Sequence, residues 1–265
     1  MNYGISMYSI VPMRKEPAEQ AEMVNQLLFG ESYEVLTEEN GFLQVTTQYD
    51  EYTGWIDRAL HREVSTSGYQ RLCQEPVTVL DALLMSVERR GAPPQLVIAG
   101  STLPGYNKKK NILEFDGEVF HIRWTFGAFG VKGTSSLLKT TGHFLNTPYL
   151  WGGRSVFGCD CSGFVQVVYK IHGIRLKRDS YQQAEQGEPV TSLKEARLGD
   201  LAFFSGDSGR VYHVGMILSP GEIIHSSGYV HIDRLDEQGI FNLVNQEYSH
   251  RSFTIRRVAD LEKSS

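Results

Sequence analysis

One cysteine in this chain stands where a nucleophile could be made. Gly158-Cys159-Asp160-Cys161-Ser162-Gly163 leads into Phe164, Val165, Val168 and Ile171, which have helical spacing, and Gly173 follows. Asp160 is a good helix N-cap and Gly173 a good C-terminal stop. Cys161 then falls in the first turn, where orphan N–H groups and the positive end of the helix dipole favour a thiolate. Its pKa is expected to be depressed, as a nucleophilic cysteine needs, and the same N–H groups can hold an oxyanion. Cys73 and Cys159 lack that setting and are read as small apolar residues.

A thiol also needs a base. Tyr212-His213-Val214-Gly215-Met216-Ile217-Leu218 reads as a strand, Ser219-Pro220-Gly221 as a turn, and Glu222-Ile223-Ile224-His225-Ser226 as the returning strand. With about three residues closing the hairpin, His213 and His225 face the same side as diagonal neighbours. One of these histidines can then take the proton of Cys161 while the other fixes its tautomer. Asp or Asn fills the orienting role more often, but neutral histidine also accepts a hydrogen bond. His61, His121, His143, His172, His231 and His250 have no such company and are read as structural. Cys159 and Cys161 could begin a metal site, but no second Cys/His pair at zinc spacing completes one, so neither metal nor cofactor is expected.

The elements that must position these residues occupy the last half of the chain. Residues 1–65 read as short strands, among them Ser32-Tyr33-Glu34-Val35-Leu36, Gly41-Phe42-Leu43-Gln44-Val45 and Tyr52-Thr53-Gly54-Trp55-Ile56, which suggest a small barrel. Residues 76–132 form a second β-rich stretch, with Leu96-Val97-Ile98-Ala99 and Val119-Phe120-His121-Ile122-Arg123-Trp124 as strands and a turn at Pro104-Gly105. Residues 133–265 carry the chemistry and open with a helix from Ser135 to Leu145, capped by Thr134 or Ser135 and ending before Pro148. Two small β-barrels followed by an α+β domain is the expected architecture.

The 265 residues include 26 Lys and Arg against 31 Asp and Glu, a formal charge of −5. No basic stripe occurs, which argues against nucleic acid as a partner, and Lys108-Lys109-Lys110 reads as a solvated hairpin tip. Three cysteines cannot build a disulfide framework and suit a reducing compartment or an enzyme that keeps a thiol free. The first 20 residues hold no apolar core of signal-peptide length, and no run of about 18 apolar residues occurs. A cytoplasmic protein without a membrane span is expected.

Tyr149-Leu150-Trp151-Gly152-Gly153, Asp160-Cys161-Ser162-Gly163-Phe164, Leu198-Gly199-Asp200-Leu201 and His213-Val214-Gly215-Met216 together resemble the NlpC-type cell-wall cysteine peptidases, over residues 134–258. His225 falls where that family places its third polar residue. The resemblance implies a papain-like catalytic domain. The preceding strands resemble bacterial Src-homology-3-like barrels, and the whole layout resembles the γ-D-glutamyl-L-diamino acid endopeptidases. That subgroup carries Arg-Asp-Ser after the catalytic helix, and Arg178-Asp179-Ser180 stands there.

This implies that Asp179 holds the ammonium of an N-terminal L-alanine, with Tyr149, Asp160, Ser162 and Ser180 lining the same pocket. It further implies that Glu22 and Tyr52 close one end of the groove. The implied partners are peptidoglycan-derived peptides, L-Ala-γ-D-Glu-diamino acid, cleaved after the γ-D-glutamyl residue. A thioester-forming amidase or acyltransferase on the same fold, and a non-catalytic binder of wall fragments, are the rival readings. Asp179 could equally cap a helix starting at Ser180, and both roles can coexist.

Overall fold

The computed structural model describes residues 2–74, 77–127 and 134–259, arranged as two compact units. The first is formed by residues 1–131 with 152–155, the second by residues 132–151 with 156–265. No helix among the described residues is long and apolar enough to cross a membrane.

The first unit begins with seven antiparallel strands: β1 (Asn2–Ile5), β2 (Ile10–Arg14), β3 (Met23–Leu28), β4 (Ser32–Glu39), β5 (Phe42–Thr47), β6 (Thr53–Asp57) and β7 (Arg62–Val64). They lie side by side in the order β3-β2-β6-β5-β4-β1-β7. Val11, Met13, Leu27, Tyr33, Leu43, Val45 and Ile56 form their core, and Tyr52 packs against it. Asn40 and Gly41 turn β4 into β5 with φ of 50° and 79°, the paired left-handed geometry that two-residue hairpins favour.

A nine-residue helix, α1 (Thr66–Gln74), follows and carries the exposed Cys73. Its stretch was not assigned to either barrel at the level of sequence. Next come β8 (Thr78–Val79), β9 (Leu84–Arg89), β10 (Gln95–Ile98), β11 (Thr102–Leu103), β12 (Tyr106–Asn107), β13 (Ile112–Phe115) and β14 (Glu118–Phe126). Five of them form the sheet β10-β9-β14-β13-β12, and β8 pairs with β11. Lys108 to Lys110 sit at the exposed tip between β12 and β13, as expected. The core of this sheet includes Phe29 from the turn after β3. The short strand β15 (Arg154–Ser155) belongs to the same unit. There the buried Arg154 guanidinium grips Glu31 at 3.0 and 3.1 Å and donates to the Gln26 carbonyl at 2.7 Å. Gly152 is required beside it, because its φ is +76° and a Cβ would lie 2.4 Å from the Met23 carbonyl oxygen.

The second unit starts with α2 (Thr134–Gly142), which stops three residues short of the expected Leu145. The proposed caps, Thr134 and Ser135, have side chains outside the described residues. After β16 (Gly158–Cys159) come α3 (Cys161–Ile171) and the single-turn α4 (Ser180–Gln183). Eight strands complete the unit: β17 (Glu188–Val190), β18 (Leu201–Ser205), β19 (Val211–Ser219), β20 (Glu222–Ser227), β21 (Tyr229–Asp236), β22 (Gly239–Asn242), β23 (Glu247–His250) and β24 (Phe253–Arg257). Their order is β17-β24-β18-β19-β20-β21-β22-β23, all antiparallel, with α3 packed on β19 and β20. A helix laid on an antiparallel sheet gives the α+β papain-like class.

Helix α3 is buried from Cys161 through Lys170, so its apolar stripe is only part of what it hides. Gln166 donates to the Leu176 carbonyl at 3.0 Å, and the Tyr169 hydroxyl donates to the Gly199 carbonyl. Gly173, at φ +77°, ends the helix as its sequence position implied, with the Ile174 N–H donating back to the Tyr169 carbonyl at 3.0 Å. The Gly-Asp-Leu segment is structural: Asp200 accepts from Arg257 at 2.7 and 2.9 Å and so fastens β18 to β24.

Candidate active site

Cys161 is the first residue of α3, and Asp160 caps that helix by accepting from the Gly163 N–H at 2.7 Å. The N–H groups of Ser162 and Val214 are directed at the Cys161 thiol, which places the sulfur beside the strand that carries His213. The setting does not depress its pKa as expected. Burial, with the Asp160 carboxylate second, outweighs the N–H groups and the Arg178 guanidinium and pushes the thiol up to about 12. Cys161 therefore rests as a thiol.

His213 and His225 meet as the hairpin reading foresaw. Gly215 lies opposite His225, which makes His213 the diagonal neighbour on the same face. The loop has two residues, Pro220 and Gly221, rather than three, and the extra residue is taken up as a bulge between Ile217 and Ser219. A Cβ at Gly215 would lie 2.6 Å from Ile223 and 3.0 Å from the His225 Cβ, so glycine is what lets the strand pass this close. His213 Nε2 is 2.9 Å from His225 Nδ1, and both rings are buried.

Three further residues that sequence reasoning passed over complete this cluster. The His250 ring stacks on His213 with centroids 4.1 Å apart and planes at 24°. His225 Nε2 and His231 Nε2 both lie against Asp233 Oδ2, at 3.2 and 3.0 Å. His231 faces His225 directly across β20 and β21. Burial, followed by the neighbouring imidazoles His250, His225 and His231, holds the pKa of His213 well below the usual histidine value. Burial lowers His225 as well and takes His250 down to about 4.

The basic form of His213 thus persists through weakly acidic solution. Catalysis that depends on it is expected to hold constant down to about pH 6, where an ordinary histidine is already largely protonated, and to fall only below that. A kcat/KM profile with its acid limb at about 6.5 would contradict this.

His213, His225 and His250, and separately His225, His231 and Asp233, present possible metal-ligand atoms within 4.8 Å of one another. In the first group the facing nitrogens of His213 and His225 already share a hydrogen bond, and the stacked rings of His213 and His250 do not converge their lone pairs in plane. The geometry is that of a hydrogen-bonded relay.

Around the thiol, Arg178 grips Asp160 at 2.6 and 3.0 Å and donates to Ser162 Oγ at 2.9 Å, all of it buried. Asp160 is therefore committed to a guanidinium, an interaction its reading as a pocket-lining carboxylate did not include. Burial, then the neighbouring Cys161 and Asp160, raises the pKa of the Tyr149 phenol and so places it beside both. Asp179 is the half-buried N-cap of α4, and the Tyr181 phenol donates to it. Buried Ser180 follows, and Gln183 donates to the Ser162 carbonyl at 3.1 Å. Asp179 is held between that contact and the grip of Arg178, both on the first turn of α3.

Glu22 and Tyr52 belong to the other unit. Glu22 pairs with Lys15 at 3.4 Å on the surface, and the Tyr52 N–H donates to Thr47 Oγ1 at 2.9 Å. Their place at a substrate rests on the resemblance alone.

Comparison with known proteins agrees with this geometry. Residues 146–254 match the NlpC/P60 family, and residues 13–59 match the bacterial dipeptidyl-peptidase Sh3 domain. The γ-D-glutamyl-L-lysine dipeptidyl-peptidase of Bacillus subtilis (strain 168) is 42% identical over 98 residues, 36% of this chain and 33% of that protein. The chain thus aligns with about a third of that relative. A "probable endopeptidase" of Haemophilus influenzae is 33% identical over 131 residues, 48% of this chain and 76% of that protein. The crystal structure of an NlpC/P60 family protein from Bacillus cereus superposes with a TM-score of 0.79 at 20% identity, covering 97% of this chain and 99% of that one. A capped helix bearing Cys161, a histidine hairpin beside it and these matches lead to one conclusion: the chain belongs to the NlpC/P60 family.

Proposed function

We propose that this chain is a cysteine peptidase that hydrolyses the γ-D-glutamyl–diamino acid bond of wall-derived peptides bearing a free N-terminal L-alanine. The observation that carries the reading is the buried His213–His225 hydrogen bond on the strand whose Val214 N–H meets the Cys161 thiol. Because the thiol rests protonated and His213 neutral, His213 acts as a general base at the moment of attack. Sulfur bonds to the γ-carbonyl carbon as its proton moves to His213. First-turn N–H groups of α3 hold the oxyanion. The imidazolium returns that proton to the leaving amine, and water, deprotonated by His213, then releases L-Ala-D-Glu from the thioester.

Asp179 receives the substrate ammonium as a charge-assisted bond in a half-buried site, with Tyr149, Ser162 and Ser180 around it. Asp160 serves by neutralising Arg178 and capping α3. A requirement for a free N-terminal ammonium suits soluble turnover peptides and hence peptide recycling. The test is incubation with L-Ala-γ-D-Glu-meso-diaminopimelate, free and N-acetylated, with products read by mass spectrometry. The free tripeptide should yield L-Ala-D-Glu and the acetylated one should be spared. Equal cleavage of both removes the role given to Asp179, and cleavage by the Cys161→Ala variant removes the peptidase reading.

A further inference from the structure

The reacting side chains use only part of the polar cluster. Asp233, on β21, is 1% exposed, and its carboxylate gathers four donors. His225 Nε2, His231 Nε2 and Asn242 Nδ2 lie 3.2, 3.0 and 3.1 Å from Oδ2, and the Leu243 N–H donates to Oδ1 at 3.0 Å. We propose that Asp233 is the positioning residue that sets the direction of the hydrogen-bond chain running through His225 to His213. The proposal rests on the reading of Cys161 and His213 given above.

Proton accounting carries it. A carboxylate accepts and cannot donate, so His225 holds its single proton on Nε2 and presents a bare Nδ1. That bare nitrogen lies 2.9 Å from His213 Nε2, so His213 Nε2 is the donor and carries the ring's single proton. His213 Nδ1 is then the lone pair, the atom able to take the thiol proton. One carboxylate decides, two rings away, which nitrogen of His213 is basic.

His231 belongs to the same network, with Nδ1 2.8 Å from the Tyr229 carbonyl oxygen and Nε2 3.0 Å from Asp233. The titratable groups around it are Asp233 and Tyr229 on its own strand, His225 on β20 and, farther off, His213 on β19 and His250 on β23.

Asp233→Asn is the informative change, because an amide offers one acceptor atom where the carboxylate offered two: with its oxygen on the Leu243 N–H, its NH2 faces His225 Nε2. In that orientation His225 Nε2 accepts. Its proton moves to Nδ1, His213 must accept at Nε2, and a proton is left facing the sulfur where a lone pair was needed. A reversed tautomer of this kind in a Ser-His-Asp site lowers kcat about 10⁴-fold, and here we expect a loss of roughly 10² to 10⁴ with KM within about twofold.

The test has two arms. Nitrogen-15 NMR of histidine-labelled native protein at neutral pH should show protons on Nε2 of His213 and His225 and bare Nδ1 on both. In Asp233→Asn both tautomers should reverse, kcat on the free tripeptide should fall as stated, and iodoacetamide should label Cys161 correspondingly more slowly. A His225 proton on Nδ1 in the native protein, or wild-type kcat in Asp233→Asn, overturns the proposal. A variant that fails to fold leaves the native spectrum to decide. Activity persisting in Cys161→Ala sinks the peptidase reading instead, and the spectrum still judges Asp233.

Discussion

His213→Gln should lower turnover of the free tripeptide by roughly 10³-fold while leaving the protein folded, in line with the 10² to 10⁴ that a positioned general base contributes. Glutamine fills much of the same buried space, and its amide NH2 can still donate to His225 Nδ1. It cannot take a proton from a thiol whose own pKa is pushed up to about 12. The chemical step loses its base, whereas the contacts assigned to the substrate, Asp179 and Tyr149 among them, are untouched. Steady-state kinetics should therefore show kcat collapsing with KM nearly unchanged. Wild-type kcat in this variant would mean that the proton of Cys161 goes elsewhere.

Arg178→Met should be the most destabilising single change near the site. Arg178 and Asp160 are both buried and joined by two hydrogen bonds, and Ser162 is tied into the same guanidinium. Removing the cation leaves a carboxylate inside the protein with its helix-capping bond as partial compensation, and breaking one side of a buried pair costs about 3–5 kcal/mol. Urea unfolding should register that loss. The double change Arg178→Met with Asp160→Asn should recover much of it, since the amide oxygen can still accept from the Gly163 N–H and no charge is stranded. A single variant as stable as the parent would show that the pair contributes nothing to the fold.

What could be read from the chain without coordinates follows a physical divide. The start and end of α3 are local events, written in Asp160 as the cap and Gly173 as the stop, and both read correctly. The diagonal placement of His213 and His225 needed only a hairpin and the two-residue period of a strand. Asp233 was not legible, because its relation to His225 arises from a third strand paired beyond the hairpin. His250 was hidden for a similar reason: it stands on β23, separated in sequence from the ring it stacks on by 37 positions, and no local period marks such a contact. The elevated pKa of Cys161 escaped because a helix terminus announces its N–H groups, whereas burial is set by the packing of the whole unit. Arg178 was noticed for its neighbour Asp179, and its grip on Asp160 across 18 residues became visible only when α3 and the following loop were seen together.

Covalent trapping tests the central claim most directly. Acid quenching of the enzyme during turnover of L-Ala-γ-D-Glu-meso-diaminopimelate, followed by digestion and mass spectrometry, should reveal the L-alanyl-D-glutamyl group as a thioester on the peptide that contains Cys161. Product release with no acyl group on Cys161 at any time point, or with that group on another residue, would contradict a mechanism in which this sulfur is the nucleophile.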